Sequence, residues 1–326
     1  MIPSWGKWAR VSLRPFPRIL GKEVQQLMNK LDIHVHCAPQ RFALPATTWQ
    51  PDANYVAEPA ELKHTLQVQG IGHAVLMSSG ETPEGSPHTL GAYNLDCAAI
   101  AAADPACFSW MCALDPSDPA TVYDRLAACK ENGAVGVGEI MINQWLDSPF
   151  LSEVFSAAEK LNLPVLCHMS PEPGFGYGVC DRPGLTLLEQ ALQRYPDLKW
   201  IGHSQLFWLE ISGDCPRGGN AERSSMGRGP VAPGGRLEYL LKTYPNLYAD
   251  LSAYSGSCAI LRDEEYGLRF LHTWADRLLF GTDTTNQHTV FPLGAFLDDC
   301  LTDGRLSEAD HTAICCGNVQ ALLGIA

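Results

Sequence analysis

Two histidines two residues apart, His34 and His36, close a short apolar run, Asp32-Ile33-His34-Val35-His36. Alternate side chains of an extended strand face the same side, so both imidazoles would aim at one point. A pair spaced this way arises often by chance. Three further residues change its weight: His168, His203 and Asp283 each end a later apolar run. Imidazoles with a carboxylate form a donor set suited to zinc, and also to iron or manganese. A lone histidine at a strand end is usually hydrogen-bonded and structural. Four histidines and an aspartate at converging strand ends are poorly explained that way. Glu139 ends one more run, in Gly138-Glu139-Ile140, and its carboxylate should reach the same rim. Asp32 points inward but deeper, where it could support a ligand from behind.

The elements that must bring these residues together are legible as a repeat. Runs rich in β-formers occur at Leu31–His36, His73–Ser78, Phe108–Ala113 and Ala134–Ile140, then at Pro164–His168, Leu198–His203, Asn246–Ser252 and Leu278–Asp283. Helical spacing fills the intervals: Phe150, Leu151, Val154, Phe155, Ala158 and Leu161 fall near one face, as do Leu185, Leu188, Leu192 and Tyr195. Strands alternating with helices pair in parallel through right-handed crossovers. Eight such units predict an α/β fold, a closed (β/α)8 TIM barrel, over residues 31–326 as one domain. Residues 1–30 form an N-terminal arm, and the tail from Arg305 adds C-terminal helices able to pack on the barrel or on a partner. An open sheet is the alternative, but no helix-opening G-x-G-x-x-G follows the first strand. Gly174, Gly176 and Gly178 read as a flexible turn after strand five. Long connections at 37–59 and 213–235 lie on the C-terminal face, where active sites of this fold sit, and read as walls or lids of a pocket.

Composition narrows the class. The chain has 326 residues, 46% hydrophobic, with a formal net charge of −13. Residues 1–30 carry six basic side chains against Glu23, a net +5, which leaves −18 for the rest. An acidic body is a poor electrostatic match for nucleic acid. The basic leader has the composition of a targeting segment or of an arm packed on the barrel. No apolar run approaches the roughly 20 residues needed to span a bilayer, and no signal-peptide pattern opens the chain. The twelve cysteines are scattered without C-x-x-C or zinc-finger spacing, which favours a reducing compartment. These features predict a cytoplasmic enzyme acting on a small molecule, either alone or as a homo-oligomer. A serine hydrolase is disfavoured by the lack of G-x-S-x-G.

The segments DIHVH, LCH, IGH and FGTD resemble the amidohydrolase superfamily in type and order. YPDLKWIGH, YPNLYADLSA, DRLLFGTD and the terminal GNVQALLGI resemble its amidohydrolase-2 branch, which includes aminocarboxymuconate-semialdehyde decarboxylase and related aromatic-acid decarboxylases. The resemblance covers roughly residues 31–326. It implies a catalytic divalent metal on a barrel and does not imply a substrate. Typical mononuclear members need no ligand where Glu139 stands, whereas TatD-like members resemble this chain in a strand-four Glu that can bridge two ions. By that likeness His34, His36 and Asp283 would hold one ion, His168 and His203 the other, and Glu139 both. Alternatively Glu139 orients a ligand or binds substrate.

The expected function is a metal-dependent hydrolase that activates water to cleave an amide, ester, lactone or phosphoester bond. Asp283 would accept the proton of the attacking water and pass it on. His203, or a second ion, would polarise the scissile bond. Arg182 and Arg262 could each clamp a substrate carboxylate. The alternative is a non-oxidative decarboxylase of a small aromatic or unsaturated acid.

Overall fold

The structure, a computed structural model, describes residues 30–44, 54–85, 91–289 and 291–325. The expected N-terminal arm lies outside these, apart from Lys30. Eight parallel strands follow one another around a barrel: Lys30–Val35, Ile71–Met77, Phe108–Met111, Val137–Ile140, Val165–Ser170, Trp200–His203, Leu247–Asp250 and Leu278–Leu279. They are called strands one to eight below. Each overlaps its expected run.

Two ladders account for most of the pairing, strands one to three and strands four to eight. Two parallel bridges join them, Cys112 with Val137 and Val35 with Thr284. The second seam matters most for chemistry. There Ile33 N donates to Phe280 O, Asp283 N to His34 O and His36 N to Thr284 O, at 2.7–3.0 Å. Closing the barrel therefore brings His34, His36 and Asp283 to one place.

Leu31, Ile33, Val75, Met77, Met111, Leu166, Ile201 and Leu279 pack together as the barrel's filling. Burying such a side chain stabilises by about 1.5–3 kcal/mol. Val319, from the C-terminal helix Asn318–Leu323, joins this cluster. Asn318 Nδ2 donates to the carbonyls of Ala275 and Leu278. The tail thus packs on this chain's own barrel. The other strand face meets the helices, for example Phe150, Leu151, Val154 and Phe155 of helix Pro149–Lys160, which shows the expected amphipathic stripe.

The long connections carry structure of their own. Phe42–Ala43 pairs antiparallel with Tyr55–Val56 in the first, and a short helix, Asn220–Arg223, lies in the second. Buried Arg223 donates from Nη1 to Pro171 O and from Nη2 to Asp181 O, tying the second connection to the loop after strand five. All twelve cysteines are free. No helix among the described residues is long and apolar enough to cross a membrane.

Asp32 stabilises the seam. Its Oδ1 accepts from the backbone N–H groups of His34 and Thr282, and its Oδ2 from the Thr282 hydroxyl at 2.6 Å. It holds the backbone of strands one and eight, which is how it supports a candidate ligand. Asp32→Ala would leave these buried donors without an acceptor. We expect a loss of about 2–4 kcal/mol of unfolding free energy in a urea titration. A loss under about 1 kcal/mol would remove Asp32 from this role.

Candidate metal centre

The donor atoms converge from strands one, four, five, six and eight. His34 Nε2 and His36 Nε2 lie 3.2 Å apart. Asp283 Oδ1 is 3.6 Å from the first and 3.2 Å from the second. Glu139 Oε2 is 3.5 Å from both. Its other oxygen, Oε1, is 2.7 Å from His168 Nδ1 and 3.8 Å from His203 Nε2. One carboxylate therefore stands between two imidazole pairs. Two overlapping donor sets result, His34–His36–Glu139 and Glu139–His168–His203, each with its atoms within 4.8 Å of one another.

The strand ends are shaped for this. Ser204 and Ala253, which follow His203 and Ser252, have positive φ, as does Asp283 itself at +56°. A left-handed residue other than glycine is uncommon and turns the chain sharply away from the barrel. At Asp283 that turn comes where its N–H is held by His34 O. Ser204 Oγ donates to Met169 O and accepts from Met169 N, pinning strand six to strand five beside His168.

Burial and charge set the protonation states. Burial alone would lower His34, but Asp283 and Glu139, with a hydrogen bond to Asp250, hold its imidazole well above the usual histidine value. Burial would raise Glu139, yet His34 and His168 hold its carboxyl well below the ordinary range. Asp250 is held low in the same way, against burial, by His203 and His34. His168 is lowered by burial. Negative charge buried among imidazoles calls for compensating positive charge, from protons or from a cation. Four imidazoles and several carboxylates aimed inward fit a divalent cation well.

Asp250 and Ser252, at the end of strand seven, escaped the sequence reading. Asp250 Oδ2 lies 2.8 Å from His34 Nδ1 and 2.9 Å from His203 Nδ1. It accepts Nδ1–H from both rings, so that Nε2 is the atom each ring turns toward a cation. Ser252 Oγ donates to the same oxygen at 2.7 Å. Trp208 is a buttress here, since its Nε1–H donates to Asp250 O at 2.9 Å. Gly281 makes room, because a Cβ there would come within 2.6 Å of Asp250 Oδ1. The signal was present in the YADLS run, where an acid ends a strand like the other candidates.

Tyr177 was also missed. Its ring centroid is 4.3 Å from that of His168, inclined at 38°. Gly178 has φ +103° and lies so close that a Cβ would come within 2.6 Å of His168 O. The glycine run after strand five thus makes one close approach, at Gly178, while Gly174 and Gly176 have positive φ and open space around them; Asn143 holds the loop by bonding Gly174 N and Gly178 O.

The structure brings together His34, His36, Glu139, His168, His203 and Asp283. It does not bring Arg182 or Arg262 into contact with them among the described residues. Arg182 is exposed, with its guanidinium 5.7 Å from the Trp145 ring centroid. Arg262 donates to Arg228 O in the connection after strand six. Tyr254 is partly exposed and packs edge-on against Phe291. His73 bonds Ala106 O and Ser109 Oγ, away from the cluster. Asp250→Asn, which keeps the shape and removes the charge, should weaken divalent metal affinity about 10–100-fold in a chelator competition. Unchanged affinity would deny Asp250 its role.

Known proteins give this geometry a context. No curated protein matches the chain. Among solved structures, an uncharacterized TIM-barrel protein from Bordetella bronchiseptica is similar at TM-score 0.60 and 16% identity, over 90% of this chain and 98% of that one. A probable 2-pyrone-4,6-dicarboxylic acid hydrolase from Acinetobacter baumannii gives 0.55 and 16%, over 91% and 100%. A dihydroxybenzoic acid decarboxylase from Polaromonas, with bound manganese and the inhibitor 2-nitroresorcinol, gives 0.52 and 19%, over 90% and 96%. At these identities the likeness speaks for the fold, an α/β TIM barrel. The amidohydrolase-2 family model, described as amidohydrolase, matches residues 31–325, nearly every described position. With that match over a barrel whose rim gathers the expected donors, the chain belongs to the amidohydrolase family.

Proposed function

We propose that the chain is a metal-dependent hydrolase whose centre takes two divalent cations, with Glu139 shared between them. The observation that carries this reading is the split of the Glu139 carboxylate, Oε2 toward His34 and His36 and Oε1 toward His168 and His203. His34, His36 and Asp283 would hold one cation, His168 and His203 the other. Zinc suits this mixed set best, with manganese or iron as alternatives.

A divalent cation there supplies Lewis acidity and lowers the pKa of water from about 15.7 toward about 7. The protein's residues supply the rest. Asp283 is the most open carboxylate of the cluster, 27% exposed against 2% for Glu139, so it is placed to take a proton from water and deliver it to a leaving group. Asp250 and Ser252 keep His34 and His203 in one tautomer and orientation. Tyr177 walls the His168 side. An amide, ester, lactone or phosphoester of a small molecule is the substrate class. The free cysteines support a reducing, cytoplasmic setting.

Decarboxylation is the second reading, and the comparisons favour it over hydrolysis. The decarboxylases among the structural neighbours, one of them holding manganese, are the specific ground for it. That reaction would use one cation to bind a small aromatic or unsaturated acid, and Arg182 or Arg262 would be the cationic side chains for its carboxylate. Arg262 has Nε and Nη2 buried without a hydrogen-bond partner among the described residues.

Elemental analysis of wild type and Glu139→Ala, combined with a paired activity screen, separates the two. Two ions per chain falling to about one in the variant, with turnover of esters, lactones, amides or phosphoesters, is the expected result. One ion in both proteins, with carbon dioxide released from aromatic acids, would replace hydrolysis with decarboxylation.

A further inference from the structure

A small cavity of about 10 Å³ lies between helix Gln205–Leu209, which follows strand six, and helix Ala253–Leu261, which follows strand seven. Trp208, Met226, Gly227, Ser255 and Arg262 are among its walls. It stands at one remove from the metal centre, since the indole N–H of Trp208 holds Asp250 O.

The polar groups of this cavity are unanswered. Arg262 packs against Gly227, where an added Cβ would come within 2.5 Å of Nη1. Nη1 donates to Arg228 O at 3.2 Å, but Nε and Nη2 are buried with no hydrogen-bond partner among the described residues. Ser255 is 3% exposed, and its Oγ also has no partner there. The guanidinium charge is unanswered too, because none of the lining residues is Asp or Glu. Asp263, the neighbouring acid, accepts from Val231 N and Tyr266 N instead. Guanidinium N–H groups and a hydroxyl thus sit at one small space without an acceptor.

Buried donors that carry a positive charge call for an anion, because a water answers the hydrogen bonds and leaves the charge. Size narrows which one. A cavity of roughly 10–15 Å³ holds a single water, so this one takes a one-atom ion and has no room for a carboxylate, phosphate or sulfate. Met226, a flexible side chain in the wall, can yield to an ion slightly larger than water. The chain's net charge of −13 repels anions in general, so binding must come from these local groups.

We propose that Arg262 Nε and Nη2, with Ser255 Oγ, form a binding site for a single chloride ion, separate from the cations at Glu139. The site requires neither hydrolysis nor decarboxylation, and on the decarboxylation reading it leaves Arg182 to meet the substrate carboxylate. Its ion ties together the two helices that lead away from His203 and Ser252, and it steadies the Trp208 side chain that holds Asp250.

The test takes the full-length protein through thermal unfolding while sodium gluconate is exchanged stepwise for sodium chloride at constant ionic strength. Crystals grown without chloride are soaked in sodium bromide. We expect a saturable rise in Tm of about 2 °C or more with chloride, and an anomalous bromide peak within hydrogen-bond reach of Arg262 and Ser255. Arg262→Gln should remove both. Ser255→Ala takes away a hydroxyl that has no partner in the chain, so it should fold as well as wild type and need roughly threefold more chloride for half the rise. A Tm indifferent to the exchange would overturn the proposal, as would a chloride effect that both variants retain in full. Bromide at the cation centre alone would do the same. A peak beside Arg262 with no chloride effect on Tm would mean binding at crystal concentration only, which also overturns it.

Discussion

A carboxylate, that of Glu139, is buried at 2% exposure with imidazoles on either side of it, and the rest of the rim is arranged around that charge. Burying such a group is costly unless opposite charge and hydrogen bonds answer it. Here the answer comes from four rings that arrive on three separate strands. Each ring must be oriented before it can help. Asp250 orients two of them at once, and its own burial is made tolerable by the same Nδ1–H groups and by Ser252. The centre is thus two nested layers of compensated charge, an inner one around Glu139 and an outer one around Asp250.

That arrangement depends on barrel closure. A parallel strand delivers its C-terminal end to one rim whatever its sequence, so convergence of the donors is a property of the topology. The seam between strands eight and one refines it. Backbone bonds from Ile33, His36 and Asp283, together with Asp32 bridging to Thr282, set the separation of His36 and Asp283 to hydrogen-bond scale. The sharp left-handed turns after strands six and seven, and at Asp283, then lead the chain away from the centre and leave the rim open to solvent on the Asp283 side.

Much of this was legible in the order of the residues. All eight strands were visible because an apolar run flanked by helical spacing has few other interpretations in an α/β chain. The convergence of the six candidate donors was visible because each ends such a run. Asp250 ends one as well, yet it was passed over, since an acid that holds ligands from behind offers no spacing of its own. Tyr177 was hidden for another reason. It lies in a glycine-rich loop, and only the close approach of Gly178 to His168 shows that this glycine serves contact, whereas Gly174 and Gly176 face open space. Arg182 and Arg262 show where residue order stops. A loop's origin at the rim says which face a side chain starts from, but not where a long, flexible arginine ends. The family match places the chain among the amidohydrolases, whereas residue order does not say whether the reaction is hydrolysis or decarboxylation.

The central claim is that Glu139 is shared between two cations. Anomalous diffraction from crystals of the zinc- or manganese-loaded protein tests it most directly. The account predicts two peaks flanking the Glu139 carboxylate, one beside His34, His36 and Asp283 and the other beside His168 and His203. A single peak, with Glu139 hydrogen-bonded to His168 and bound to no metal, would contradict it.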